Sequence, residues 1–236
     1  MSYRRILLKL SGEALGDPDE GHGFDMAAIG RIASQVAGLS RRGVEVAIVC
    51  GGGNILRGAS FASNGMERAS ADYMGMLGTV LNALALSSAI EAEGIATRVL
   101  TALEIRQVAE PFVRRRAVTH LEKGRVVLLA GGTGNPYFTT DTAAALRATE
   151  LGCDVLLKAT KVDGVYSADP KTDPEAVRYD HLTYMDVLRD GLRVMDGTAI
   201  TLCMENRLPV VVFDMFEDGN IERVVRGETI GTTIGS

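Results

Sequence analysis

The sequence predicts an α/β protein, a three-layer sandwich with a mainly parallel central sheet and helices on both faces. Two observations predict it. Short apolar runs alternate with helical patterns along most of the chain, the order expected of a parallel sheet with crossover helices. Three of those runs, Arg5–Leu10, Val44–Val49 and Val126–Ala130, lead straight into polar loops that carry glycine. In open parallel sheets ligands bind beyond the carboxyl ends of the strands, so such loops mark a site.

The elements follow in order. Arg5–Leu10 (RILLKL) is a short apolar run ending in Ser-Gly, the pattern of a buried strand. After the glycine-rich stretch Gly16–Gly23 comes a helix with Ile29, Ile32, Val36 and Leu39 on one face, Asp25 as its cap and Gly43 at its end. Val44–Val49 is the second strand. Met66–Glu93 reads as one long helix, rich in Met, Leu and Ala and ended by Gly94, and Ile95–Leu100 is the third strand. A helix over Val113–Lys123 stops at Gly124, Val126–Ala130 is the fourth strand, Thr142–Leu151 is helical, and Asp154–Leu157 is the fifth strand. Beyond Lys161 the stretch KVDGVYSADPKTDPEAVRYD, rich in Asp and Pro, predicts a loop or hairpin with little core. A helix after Asp196 and the strand Pro209–Phe213 restore the alternation. The expectation is one domain over residues 1–236 with two lobes across a cleft.

Bulk properties narrow the function. The chain has 236 residues, 46% of them hydrophobic and 23% charged, an ordinary globular composition. Its formal net charge of −5 argues against a nucleic-acid partner, and the basic run Arg114–Arg116 reads as the wet face of a helix. Cys50, Cys153 and Cys203 are far apart in apolar surroundings, as expected of reduced cysteines in a cytoplasmic protein. Asn82, Ser87 and Ser88 interrupt the apolar stretch Val80–Ile90, so no membrane span is expected. His22, His120 and His181 lack metal-ligand spacing, and no protein-held metal is expected.

The chemistry lies in the loops. Lys9 stands near the end of a buried strand, where an ammonium is costly without a partner; Ser11 and Gly12 follow with amides open to an anion. Gly51-Gly52-Gly53-Asn54 follows the second strand, with Arg57 a turn further on. Leu56 breaks the dinucleotide pattern G-x-G-x-x-G, and without a Gly-Lys dipeptide there is no Walker A loop. Gly131-Gly132-Thr133-Gly134-Asn135-Pro136 and Tyr137-Phe138-Thr139-Thr140-Asp141 gather glycines, hydroxyls and amides just before a helix, a favourable place for an anion. Asp141 suits either a helix cap or a catalytic group, and Asp196, ahead of the helix that follows it, suits a cap.

Taken together, KLSGE, GGGN-x-x-RG, GTGNP-x-FTTD, LKATKVDGVY-x-x-DP and a later VMD resemble the bacterial UMP kinases of the amino acid kinase family, collinearly over essentially the whole chain. The match is loosest at Gly16–Gly23 and at Gly197–Asn206. The resemblance implies phosphoryl transfer from ATP to UMP in pyrimidine nucleotide biosynthesis, with UMP in an N-terminal lobe (about 1–155) and ATP in a C-terminal one (about 156–236). It implies that Lys9, Ser11, Gly12, Gly53 and Arg57 meet the ATP phosphates, while Thr160, Tyr166 and Asp169 wall the adenosine. Gly52, Asp72, Thr133, Gly134, Asn135, Pro136, Tyr137, Phe138, Thr139 and Thr140 would hold UMP. Lys9, Arg57, Asp141 and Asp196 would be catalytic, the two cations neutralising the transferring group and the two carboxylates holding Lys9 in place. Mg²⁺ would arrive with ATP. The family further implies a homohexamer built from dimers through the long helix, with activation by GTP and inhibition by UTP. The remaining alternatives are a family member acting on a carboxylate or carbamate, and a non-catalytic protein of the same fold that binds an anion or nucleotide.

Overall fold

The computed structural model describes residues 2–17, 22–56, 65–170, 172–192, 194–217 and 219–236. In chain order the elements are β1 (Arg5–Leu10), a single 3₁₀ turn (Gly12–Ala14), α1 (Met26–Arg41), β2 (Glu45–Cys50), α2 (Arg68–Ala92), β3 (Thr97–Thr101), β4 (Glu110–Pro111), α3 (Arg114–Glu122), β5 (Val126–Ala130), α4 (Thr140–Leu151) and β6 (Val155–Thr160). Then come β7 (Val165–Tyr166), β8 (Arg178–Tyr179), β9 (His181–Thr183), α5 (Tyr184–Arg189), α6 (Gly197–Glu205), β10 (Val210–Asp214), α7 (Asn220–Arg226) and β11 (Thr232–Gly235).

Among the described residues nine strands form one sheet in the order β4-β3-β5-β2-β1-β6-β10-β11-β9. Every pairing is parallel except that of β11 with β10. The sheet runs unbroken across residue 155, because β6 pairs with β1 in register Ile6↔Val155 to Leu10↔Ala159. The stretch rich in Asp and Pro after Lys161 folds as the separate hairpin β7–β8. β4, β9 and the antiparallel β11 carry too few residues for a periodic signal and went unpredicted.

Strand alternation sorts the side chains into two cores. Ile6, Leu8, Leu10, Ile48, Leu128 and Leu157 pack under α1, α2 and α7. Leu7, Ala47, Val49, Leu129, Leu156 and Val212 pack under α3, α4, α5 and α6. Each fully buried Leu or Ile contributes about 1.5–3 kcal/mol, so both faces are firmly held. α1 starts as expected, with Asp25 accepting from the Ala27 amide at 2.8 Å. Arg114, Arg115 and Arg116 lie exposed on α3. All three cysteines are free, and burial pushes each thiol up to about 12.

α2 meets the length and composition of a membrane-crossing helix. Here one side of it is buried, through Met76, Val80, Ala83, Leu86 and Ile90, and the other leaves Tyr73, Leu77 and Leu81 exposed. Gly52 lies so close to this helix that a Cβ there would stand 2.6 Å from the Gly75 carbonyl oxygen.

Candidate active site

The site forms at the carboxyl ends of β1, β2, β5 and β6, which lie side by side in the sheet. Lys9 on β1 and Lys158 on β6 are register partners, and both point to the face that carries Leu7 and Leu156, beneath α4 and α6. Neighbouring strands are about 4.8 Å apart, so two ammonium groups are brought together in a half-apolar setting. Asp141, in the first turn of α4, resolves the repulsion. Its Oδ1 stands 2.7 Å from Lys9 Nζ and its Oδ2 2.7 Å from Lys158 Nζ. Lys158 Nζ also donates to the Val194 carbonyl. Lys158 donates a hydrogen bond to Asp141, and Lys9 forms an ion pair with it.

Burial alone would push the Asp141 carboxyl up, but Lys9 and Lys158 together hold it below the ordinary value. Lys158 shows the converse. Burial pulls its pKa down, and Lys9 adds to that, against the support of Asp141. The triad therefore carries one net positive charge in a nearly dry place.

Asp141 is free for this because Thr139 caps α4, its hydroxyl accepting from the amides of Asp141 at 3.1 Å and Thr142 at 3.2 Å. The helix accordingly begins two residues earlier than the sequence pattern predicts. Asp196 was expected to help hold Lys9. It instead caps α6 through the Ala199 amide at 3.0 Å and accepts from the Thr142 hydroxyl at 2.8 Å and from the Thr139 hydroxyl. It staples α4 to α6 and so supports the helix end that presents Asp141.

Three depressions lie near the triad: two share Lys158 and Thr160, and the third is lined by Thr139 and Thr140, next to Asp141 in the chain. A channel of about 290 Å³ is lined by Lys9, Ser11, Glu13, Lys158, Thr160 and Lys161. A cleft of about 600 Å³ brings together Thr160, Tyr166 and Asp169, with Lys158 at its inner end. On the other side a pocket of about 190 Å³ is lined by Gly52, Gly53, Asp72, Thr133, Phe138, Thr139 and Thr140. Gly12 is pressed against the loop after β2, and its lack of a Cβ lets the first two loops touch; a Cβ would fall 2.4 Å from the Gly53 amide nitrogen.

Gly134, Asn135, Pro136 and Tyr137 do not line the pocket. Gly134 takes a left-handed conformation against Ala102, and Asn135 ties back to Thr133. Tyr137, also left-handed, donates its amide to Asp72 at 2.8 Å. Asp72 further accepts from Arg68 Nε at 2.9 and 3.0 Å, and the Arg68 guanidinium lies 5.7 Å from the centre of the Tyr137 ring. Arg57 and part of the Gly16–Gly23 segment lie outside the described residues. A further depression of about 840 Å³, beside β3 and β4, shares no lining residue with these three, and its Arg98 and Arg106 are paired with Glu110 and Glu104.

Sequence reasoning missed Lys158, although it stands near the end of an apolar strand just as Lys9 does.

The amino acid kinase family profile matches residues 4–214. The chain belongs to the amino acid kinase family. Among solved members it is similar to the UMP kinase of Bacillus anthracis, at 40% identity and TM-score 0.96, covering 100% of this chain and 97% of that one. The UMP kinase of Ureaplasma parvum is 37% identical with TM-score 0.92, both chains being covered in full. The uridylate kinase of Archaeoglobus fulgidus is 31% identical with TM-score 0.75, covering 98% and 99%. The resemblance read from the motifs thus extends over the whole fold of these amino acid kinases.

Proposed function

We propose that the protein transfers the γ-phosphoryl group of ATP to the phosphate of UMP, giving ADP and UDP, and serves pyrimidine nucleotide biosynthesis. The observation that carries this is the Lys9–Asp141–Lys158 triad, with Lys158 lining a large cleft and Thr139 and Thr140, the residues before Asp141, lining a small pocket. The cleft suits adenosine, against Thr160, Tyr166 and Asp169, with the phosphates running along Ser11 and Gly12 to the lysines. The pocket suits UMP, its sugar at Asp72 and its base beside Phe138, so Arg68 shares Asp72 with the substrate. On this reading the C-terminal lobe (about 156–236) supplies the ATP side and the N-terminal lobe (about 1–155) the UMP side of one shared sheet.

The transfer needs little covalent help from protein. The UMP phosphate, ionised at neutral pH, attacks in line without a general base. Lys9 and Lys158 meet the negative charge on the migrating group, with Arg57 added on the strength of the sequence resemblance. Asp141 orients both ammonium groups, and Asp196 secures the helix that holds Asp141. Mg²⁺, when bound, screens the charge of the ATP phosphates. Asp141 is already spent on two lysines and Asp196 on two threonines, and among the described residues no three His, Cys, Asp or Glu gather as metal ligands. In this reading the metal is carried by ATP.

The exposed Tyr73, Leu77 and Leu81, four residues apart on α2, suit pairing with a second copy and assembly into a homohexamer. Regulation by GTP and UTP, and a cytoplasmic location, belong to the same reading. A coupled ADP-release assay with Mg-ATP across UMP, CMP and AMP tests it, with GTP or UTP added in parallel. Preference for UMP is expected. Preference for CMP, or no turnover with any monophosphate, overturns the assignment and favours a carboxylate kinase or a binding protein.

A further inference from the structure

Two polar side chains of α2 are buried and each holds a loop of the site, and Thr79 also borders the small pocket proposed for UMP. Thr79 and Asn82 are 2% and 0% exposed. The Thr79 hydroxyl donates to the Met76 carbonyl at 2.7 Å and accepts from the Gly131 amide at 2.8 Å. Asn82 Nδ2 donates to the Gly51 carbonyl at 2.6 Å and to Asn54 Oδ1 at 2.7 Å. In return Asn54 Nδ2 donates to Asn82 Oδ1 at 3.0 Å, and to the Gly23 carbonyl at 2.8 Å. All four amide hydrogens of the two side chains are used, so the pair has one arrangement and no slack.

Residues three apart on a helix are neighbours on one face. A single turn of α2 therefore grips Gly51, which opens the loop after β2, and Gly131, which opens the loop after β5. Gly52, pressed against the Gly75 carbonyl, leaves the first loop no room to settle lower. The loop at Gly51–Gly53 faces both nucleotides in the proposed reading, and the loop at Gly131–Thr140 faces only the acceptor.

We propose that Thr79 and Asn82 are positioning residues for phosphoryl transfer, α2 acting as a spacer that sets the acceptor loop against the central glycine loop. The proposal deepens the reading of the protein as a UMP kinase and rests on it. Phosphoryl transfer depends chiefly on alignment, and a misplacement of about 1 Å costs roughly 100-fold in rate. Removing the Thr79 hydroxyl frees only the acceptor loop. Removing the Asn82 carboxamide frees the loop that both substrates share. The two losses have different kinetic signatures.

Steady-state kinetics of Thr79→Val, Thr79→Ser and Asn82→Leu, with thermal melts of each, test this. Thr79→Val is expected to raise KM for UMP about 10-fold and leave KM for ATP within about 2-fold, since a single lost alignment bond is worth that order. Thr79→Ser, which keeps the hydroxyl, should restore the UMP value. Asn82→Leu should lower kcat by roughly 100-fold. If Asn82→Leu does not fold, the Val–Ser pair still decides. Equal rises in both KM values in Thr79→Val, wild-type kinetics in that variant, or failure of Ser to rescue overturns the proposal alone. Wild-type protein that does not phosphorylate UMP overturns the functional reading, and the proposal with it.

Discussion

Replacing Asp141 by Asn would expose how much the site depends on one carboxylate. The change keeps the shape and removes the negative charge 2.7 Å from each of two ammonium groups. Side-chain exposures of 11%, 13% and 15% for Lys9, Lys158 and Asp141 mean that water screens the charges poorly. Removing one partner from such a buried set costs about 3–5 kcal/mol. For a chain of 236 residues, at about 2–4 °C per kcal/mol, the melting temperature should fall by about 6–20 °C. Turnover should fall by about 100-fold or more, the usual cost of losing one preorganised charge. A second change separates the two effects. Asp141→Asn with Lys158→Met removes the repulsion as well as the attraction, leaving Lys9 as the single charge. Differential scanning calorimetry should then recover roughly half or more of the lost melting temperature, while a coupled assay stays near background. A single variant that melts within about 2 °C of the wild type, or a double variant that melts below the single one, would refute the account of Asp141 as the neutraliser of two competing lysines.

Other perturbations give equally definite outcomes. Because burial lowers the pKa of Lys158, kcat should decline on the alkaline side at a pH below that of an ordinary lysine, near 10.4. Stability runs the other way there, rising with pH while the unfolded chain holds the extra proton; urea midpoints across pH read this directly. Asp141, held low, contributes stability present above about pH 4 and lost as the pH falls through its folded value. The acid limb of kcat/KM for UMP should therefore follow the substrate's second ionisation, near 6, and a limb at pH 4 in its place would contradict this. Gly52→Ala would force a Cβ to 2.6 Å from the Gly75 carbonyl and 3.2 Å from the Thr79 amide. It should cost about 1–3 kcal/mol in denaturant melts and abolish most activity. Asp196→Ala removes the cap of α6 and its bonds to two threonine hydroxyls, for a loss of about 1–2 kcal/mol, with kcat falling less than in Asp141→Asn.

The amino-acid sequence by itself determined the alternation of strands and helices, the glycine loops at the strand ends and the placing of Lys9 near the end of a buried strand. These are local signals: apolar runs of strand length, helical periodicity, Asp25 as a cap and glycines at helix ends. The motif resemblance supplied the rest of the site list, of which Ser11, Gly53, Thr160, Tyr166, Asp169, Asp72 and Thr139 line one or another of the three depressions at the strand ends. Only the tertiary structure decided how the charges pair. Lys158 becomes the partner of Lys9 because β6 adds to β1 across some 150 residues of chain, a choice that no local pattern encodes. Asp141 was a plausible cap by residue type; in the fold the Thr139 hydroxyl takes the cap and the carboxylate turns to two buried ammonium groups, where its charge is worth more. Asp196 kept the capping role open to it in the sequence and added a staple between two helices. Asn82 broke an apolar stretch for a reason visible only once its amide partners, Asn54 and Gly51, had been brought to it by the fold.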